Sequence, residues 1–163
     1  MKKNIIYAGS YIKEKGEIMK IAIGADHAGF EFKEKLKDFL IENGNDVQDF
    51  GAYTFDKDDG FPDYAIPVSK SVASGENERG VLVCGSGIGV SIAANKVRGI
   101  RAVNCTCREF AELSRKHNNT NVICFPGRFL DIEDAKEYLD IWLKTDFLGG
   151  KYQERNDKLD IIM

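Results

Sequence analysis

The stretch Val81-Leu82-Val83-Cys84-Gly85-Ser86-Gly87-Ile88-Gly89-Val90-Ser91-Ile92-Ala93-Ala94-Asn95-Lys96 constrains this chain more than any other. An apolar run breaks into three alternating glycines and resumes as a small-residue helix. Gly80 to Val83 is short, β-branched and flanked by Arg79 and Gly85, the pattern of a buried parallel strand. Glycines at alternate positions let backbone N–H groups turn toward a ligand at the positive end of the following helix. Cys84 stands on the lip of that anion site. Thiols at helix N-termini ionise more readily than free cysteine, so Cys84 reads either as a base or nucleophile or as a small core residue ending a strand.

Spacing separates the glycine run from its commonest look-alikes. A cysteine phosphatase would need arginine at Val90, and a P-loop would close the glycines with Lys-Ser or Lys-Thr. A dinucleotide fold would want an acidic residue ending the next strand, yet Ile100 to Val103 runs on into Asn104 and Cys105.

Around this unit, strand and helix alternate. Lys20 to Ala25 reads as a first strand, followed by Asp26-His27-Ala28-Gly29 and a helix with Phe32, Leu36, Phe39 and Leu40 inward and lysines and glutamates on a wet face. Asp26 and His27 thus lie at a strand C-terminus, where open α/β sheets bind ligands, although an N-cap and a loop residue are sufficient structural roles. Val47 to Phe50 is a second strand, with an acidic loop from Gly51 to Asp59. Pro62 starts a second helix with Ala65, Val68, Val72 and Ala73 inward, and Tyr64 either stacks on a substrate or packs. Ile100 to Val103 is the fourth strand, and Arg108 to Lys116 a helix ending at His117-Asn118-Asn119, where the helix dipole alone would suit a histidine. Asn121 to Phe125 is the fifth strand. Asp131 caps a helix running through Trp142 to Phe147. After Gly149-Gly150, Lys151 and Arg155 share one helix face, either as a solvated surface or as an anion site. Five alternations predict an α/β fold, a three-layer α/β/α domain with a parallel sheet covered on both sides.

Length and charge narrow the function. The 163 residues suit one domain, and a net charge of −3 leaves no basic field for nucleic acid. No apolar run approaches a membrane span, and four cysteines without CxxC or zinc spacing fit reduced thiols in a cytoplasmic protein with no metal. Residues 1–18 read as an N-terminal extension outside the fold, with Met19 the natural start, and 19–163 as the single domain including a C-terminal tail helix.

Six motifs in order carry a resemblance. Ile23-Gly24-Ala25-Asp26-His27-Ala28-Gly29-Phe30, Cys84-Gly85-Ser86-Gly87-Ile88-Gly89, Ala93-Ala94-Asn95-Lys96, Gly99-Ile100-Arg101-Ala102, His117-Asn118-Asn119-Thr120-Asn121 and the Gly-Gly tail together resemble ribose-5-phosphate isomerase type B, from Met19 to about Leu159. The resemblance implies a Rossmann-like five-stranded sheet of order 2-1-3-5-4. It also implies a homodimer, or a dimer of dimers, with active sites shared between subunits. The implied reaction interconverts ribose 5-phosphate and ribulose 5-phosphate without cofactor or metal. Allose-6-phosphate and galactose-6-phosphate isomerases share the family, and a sugar-phosphate sensor that lost turnover is the non-enzymatic alternative.

Carried over by resemblance, Cys84 is the base, with Ser86 beside it where many members have threonine. Relatives lacking the cysteine carry glutamate at the position of Val90, so valine there supports Cys84. Asp26 and His117 assist ring opening. Gly85, Gly87, Ile88, Gly89 and Asn118 line the sugar and Tyr64 flanks it. His27, Arg128, Lys151 and Arg155 hold phosphate. Lys151 departs from a frequent arginine, trading a bidentate fork for a point charge, and Cys105-Thr106-Cys107-Arg108 is an unusual run. The chemistry agrees with the residues: moving a proton between C2 and C1 through an enediolate needs one base that takes and returns it, and N–H donors for the oxyanion.

Overall fold

The computed structural model describes residues 18–161, so the expected extension lies almost wholly outside the described residues. Within them, β1 (Lys20–Ala25), β2 (Asp46–Asp49), β3 (Arg79–Cys84), β4 (Ala102–Asn104) and β5 (Val122–Pro126) form one sheet in the order β2-β1-β3-β5-β4. Every pairing is parallel, with Ile23 opposite Val81 and Val83 opposite Phe125. The central strands β1, β3 and β5 are buried almost throughout, as a sheet covered on both faces requires.

Helices α1 (Phe30–Glu42), α2 (Pro62–Ala73), α3 (Ile88–Asn95), α4 (Arg108–Asn118) and α5 (Ile132–Lys144) supply the outer layers, and α6 (Lys151–Asp160) packs on α4. Two cores result. On one face Leu36, Leu40, Ala111, Leu139 and Trp142 cover Ile21, Ile23, Val81, Ile123 and Phe125; on the other Ala65, Val68, Val90 and Ala94 cover Ala22, Leu82 and Cys124. No helix among the described residues is long and apolar enough to cross a membrane.

Several boundaries differ from the sequence expectation. The fourth strand starts at Ala102, because the N–H of Arg101 is taken by the Asn121 side chain at 2.8 Å. The α5 helix ends at Lys144, not Phe147, because Thr145 leaves helical geometry with ψ at 124°. Ala73 is exposed, and Ser69 and Ser71 take the buried places expected of it. Lys33, expected on the wet face of α1, is fully buried, since Asp49 and the Ala52 carbonyl meet its ammonium.

Candidate active site

A parallel sheet sends every βα connection to the carboxyl edge of its strands. Asp26 follows β1, the loop from Gly51 to Phe61 follows β2, Cys84 ends β3, and Gly127-Arg128 follow β5. Sequence order alone therefore brings these residues to one edge.

The glycine loop is built as a donor cradle. Gly87 is left-handed at φ +71° and starts α3, while Ser86 Oγ accepts the Ile88 N–H at 3.3 Å. The first intrahelical bond runs from the Ser91 N–H to the Gly87 carbonyl, so the N–H groups of Gly89 and Val90 have no acceptor within the helix. Cys84 is 5% exposed, and its carbonyl accepts the Gly127 N–H at 2.9 Å, which ties β3 to the turn carrying Arg128. Arg128 lies over Gly85: a Cβ there would come within 3.3 Å of its Nη1. Among the described residues no carboxylate pairs with Arg128. A guanidinium and open N–H groups thus face the same loop, which suits an anion.

Two carboxylates stand beside the cradle. Asp26 Oδ1 accepts the N–H groups of Ala28 at 3.0 Å and Gly29 at 3.2 Å, so the expected N-cap is real, but burial outweighs these bonds and raises its pKa. Asp59 accepts both the backbone N–H of His27, at 3.0 Å, and its ring Nδ1, at 2.7 Å. Burial pushes the Asp59 carboxyl up, but the two His27 bonds prevail and hold its pKa below the usual value. Ligand-type atoms of Asp26, His27 and Asp59 all lie within 4.8 Å of one another. Asp26 Oδ1, Asp59 Oδ1 and His27 Nδ1 are engaged in these hydrogen bonds, which hold the group together as a cluster.

Tyr64, expected to flank the sugar, packs its ring against Gly51 and places its hydroxyl beside Asp59. Phe61, three residues earlier, is the ring that lies against the glycine loop. A Cβ on Gly89 would lie 3.1 Å from the Phe61 ring, which is 37% exposed over the cradle. Sequence reading passed over Phe61 and Asp59. The available signal was their position at the end of a strand-to-helix loop whose first residues follow β2.

The remaining expected residues gather elsewhere. His117, in the last turn of α4, stacks on Tyr152 at 4.3 Å and 12°, and its carbonyl accepts from Asn156. Lys151 and Arg155 lie against the same Tyr152 ring at 5.2 and 5.6 Å, and no carboxylate pairs with either among the described residues. The Asn118 carbonyl is held by Arg101 at 2.8 Å. This cluster sits at the amino edge of the sheet, because α4 runs back against the strands and reaches β5 through Asn119 to Asn121. Val122 pairs with Gly80 and Pro126 with Cys84, so the two groups are separated by about 13 Å of strand at least. One chain therefore carries the expected residues in two separate groups, at opposite edges of its sheet. Tyr152, which organises the second, was also missed.

Cys105 is fully buried with its Sγ 3.4 Å from the Cys107 carbonyl, and burial pushes its thiol up to about 12. The run after the fourth strand thus begins in the core at Cys105, directly after Asn104, whose side chain donates to the Ser86 carbonyl at 3.1 Å.

The Ribose/Galactose Isomerase family pattern matches residues 21–159. The chain is 45% identical over 143 residues to ribose-5-phosphate isomerase B of Escherichia coli, covering 88% of this chain and 95% of that protein. It is 37% identical to a D-erythrulose-4-phosphate isomerase of Pectobacterium atrosepticum, covering 87% and 93%. Ribose-5-phosphate isomerase B of Mycoplasma genitalium, solved with bound ribulose-5-phosphate, superposes with a TM-score of 0.85 at 36% identity, covering 88% of this chain and 95% of that one.

Proposed function

The chain belongs to the ribose/galactose isomerase family, and from that premise we propose that it interconverts D-ribose 5-phosphate and D-ribulose 5-phosphate. The observation that carries this reading is the family match across the whole fold, with Cys84 standing beside an open N–H cradle at the carboxyl edge. Cys84 takes the C2 proton of the open-chain aldose and returns it to C1. The enediolate oxygen is met by the cradle N–H groups, which act only as charge develops there. Ser86 holds the loop through the Ile88 N–H. Asp26, its pKa raised by burial, is suited to hold or pass a proton during ring opening.

The acid partner and two of the phosphate cations come from a second copy. In this reading His117, Asn118, Lys151 and Arg155 of the partner subunit complete the site that Cys84, His27 and Arg128 begin. Two observations support it. The two groups lie at opposite edges of one chain's sheet, and the helices beside them expose apolar side chains: Ile88 and Ile92 on α3, Phe110 and Leu113 on α4. Monomers rarely leave such surface uncovered, and a twofold contact would cover both copies alike.

The test is isomerisation in deuterium oxide. Ribose 5-phosphate should yield ribulose 5-phosphate with solvent deuterium entering at carbon, whereas a sensor would bind without exchange. Absence of both product and exchange overturns the reading. A panel of four-, five- and six-carbon aldose phosphates ranks the substrates, the four-carbon arm motivated by the Pectobacterium relative.

A further inference from the structure

His27 is held more firmly than a loop histidine requires. Its backbone N–H and its Nδ1 converge on one oxygen of Asp59, and the Phe55 ring meets the imidazole edge-on at 5.9 Å. The Asp59 side chain is 7% exposed and that of His27 25%, so the bond between them is shielded while the rest of the ring reaches the site. A carboxylate oxygen only accepts, so Nδ1 carries a proton and Nε2 is the ring's open atom. Nε2 has no hydrogen bond among the described residues. The second Asp59 oxygen is buried without a hydrogen-bond partner, although the Tyr64 hydroxyl stands close. A buried carboxylate oxygen needs a donor, and the Tyr64 hydroxyl is the group placed to supply one.

We propose that Asp59 is a positioning residue that locks His27 in its Nδ1–H form, so that Nε2 is presented to the phosphate of the substrate and the carboxylate offsets the imidazolium formed there. When the ring carries its second proton, Nε2–H donates to a phosphate oxygen while Nδ1–H stays on Asp59. No bond to carbon is made or broken by either group. The inference rests on the reading above that His27 contributes to phosphate binding.

The chain has two histidines, so a ¹⁵N-histidine spectrum resolves the ring directly, with His117→Ala used for assignment. In the wild type, neutral His27 should be in the Nδ1–H form. Asp59→Ala should let both tautomers populate, and Asp59→Asn, whose carbonyl oxygen can still accept both N–H groups, should retain the form. Inorganic phosphate is the binding probe. Its Kd should rise about tenfold in Asp59→Ala and in His27→Ala, and the double variant should be no weaker than the weaker single. With ribose 5-phosphate, KM should rise by a similar factor while kcat stays within about threefold, and Asp59→Asn should recover part of the loss. If Asp59→Ala does not fold, Asp59→Asn still tests the charge: phosphate affinity equal to wild type overturns the proposal. So does an Nε2–H ring in the wild type, or single effects on Kd that multiply in the double variant. Wild-type protein that binds phosphate but turns over no sugar would sink the isomerase reading alone.

Discussion

Lys33, fully buried on α1, holds both carboxylate oxygens of Asp49, at 2.9 and 2.8 Å, from beneath the loop that follows β2. The same ammonium donates to the Ala52 carbonyl at 2.8 Å, and Asp49 accepts the Gly51 N–H at 2.9 Å. The ion pair therefore fixes the root of the segment that delivers Asp59 and Phe61 to the site. Lys33→Met should cost about 3 kcal/mol, the low end for breaking a buried pair, because Lys37 remains on Asp49. Burial raises the Asp49 pKa, but the two lysines and the Gly51 N–H outweigh it, and the native value lies below the unfolded one. Its stabilisation is complete above the unfolded pKa of about 4 and is lost as pH falls through the native value. Thermal unfolding at pH 7 and pH 3 should show a smaller acid loss of Tm in Lys33→Met than in wild type; equal losses would reject this account.

Gly87→Ala should disable the cradle while leaving the sheet intact. The added Cβ would lie 2.2 Å from Asn104 Oδ1 and 3.1 Å from the Phe125 backbone, at a φ of +71°. The left-handed conformation alone costs about 1 kcal/mol, and a misplacement near 1 Å can cost about 10²-fold in rate. Adding Asn104→Ala removes the side-chain clash but not the φ penalty, so turnover should return only in part. Full activity of Gly87→Ala would show that the loop geometry is not used.

Cys84→Ser conserves volume at a nearly closed position, so folding should be normal. A hydroxyl does not ionise near neutral pH without a base of its own, and turnover should fall by at least about 10²-fold. Iodoacetamide should inactivate the wild type and substrate should protect it, with Cys105 and Cys124 spared because burial holds both thiols far above neutrality. Retained activity in Cys84→Ser would place the base elsewhere.

Mixing Cys84→Ala with His117→Ala discriminates a shared site from a site within one chain. If each site draws Cys84 from one chain and His117 from the other, a mixed dimer has one site with both lesions and one with none. Random pairing of equal amounts should then give about a quarter of wild-type activity. No rise above the parents, with heterodimers confirmed by mass, would reject the shared site.

Lys151→Ala and Arg155→Ala, each against the Tyr152 ring and without a carboxylate partner among the described residues, should raise KM for ribose 5-phosphate more than they lower kcat. Steady-state kinetics with both KM values unchanged would leave this face as solvated surface.

The local signals in the chain were sufficient for the alternation of strands and helices, the strand-glycine-helix unit at Cys84 and the Asp26 cap, because each depends on side-chain period or on residues within one turn. Motif order carried the sheet order 2-1-3-5-4 by resemblance. Contacts between distant segments decided the rest. Lys33 is charged and sits among lysines and glutamates, and only the approach of Asp49 and Ala52 from another element explains its burial. Tyr64 and Phe61 are three residues apart at a helix start, and only the packing of that helix on the sheet turns Phe61 toward Gly89 and Tyr64 toward Asp59. The separation of Cys84 from His117 has the same origin: helices in a parallel sheet return against the strands, so residues at a strand's end and at a helix's end are carried to opposite edges.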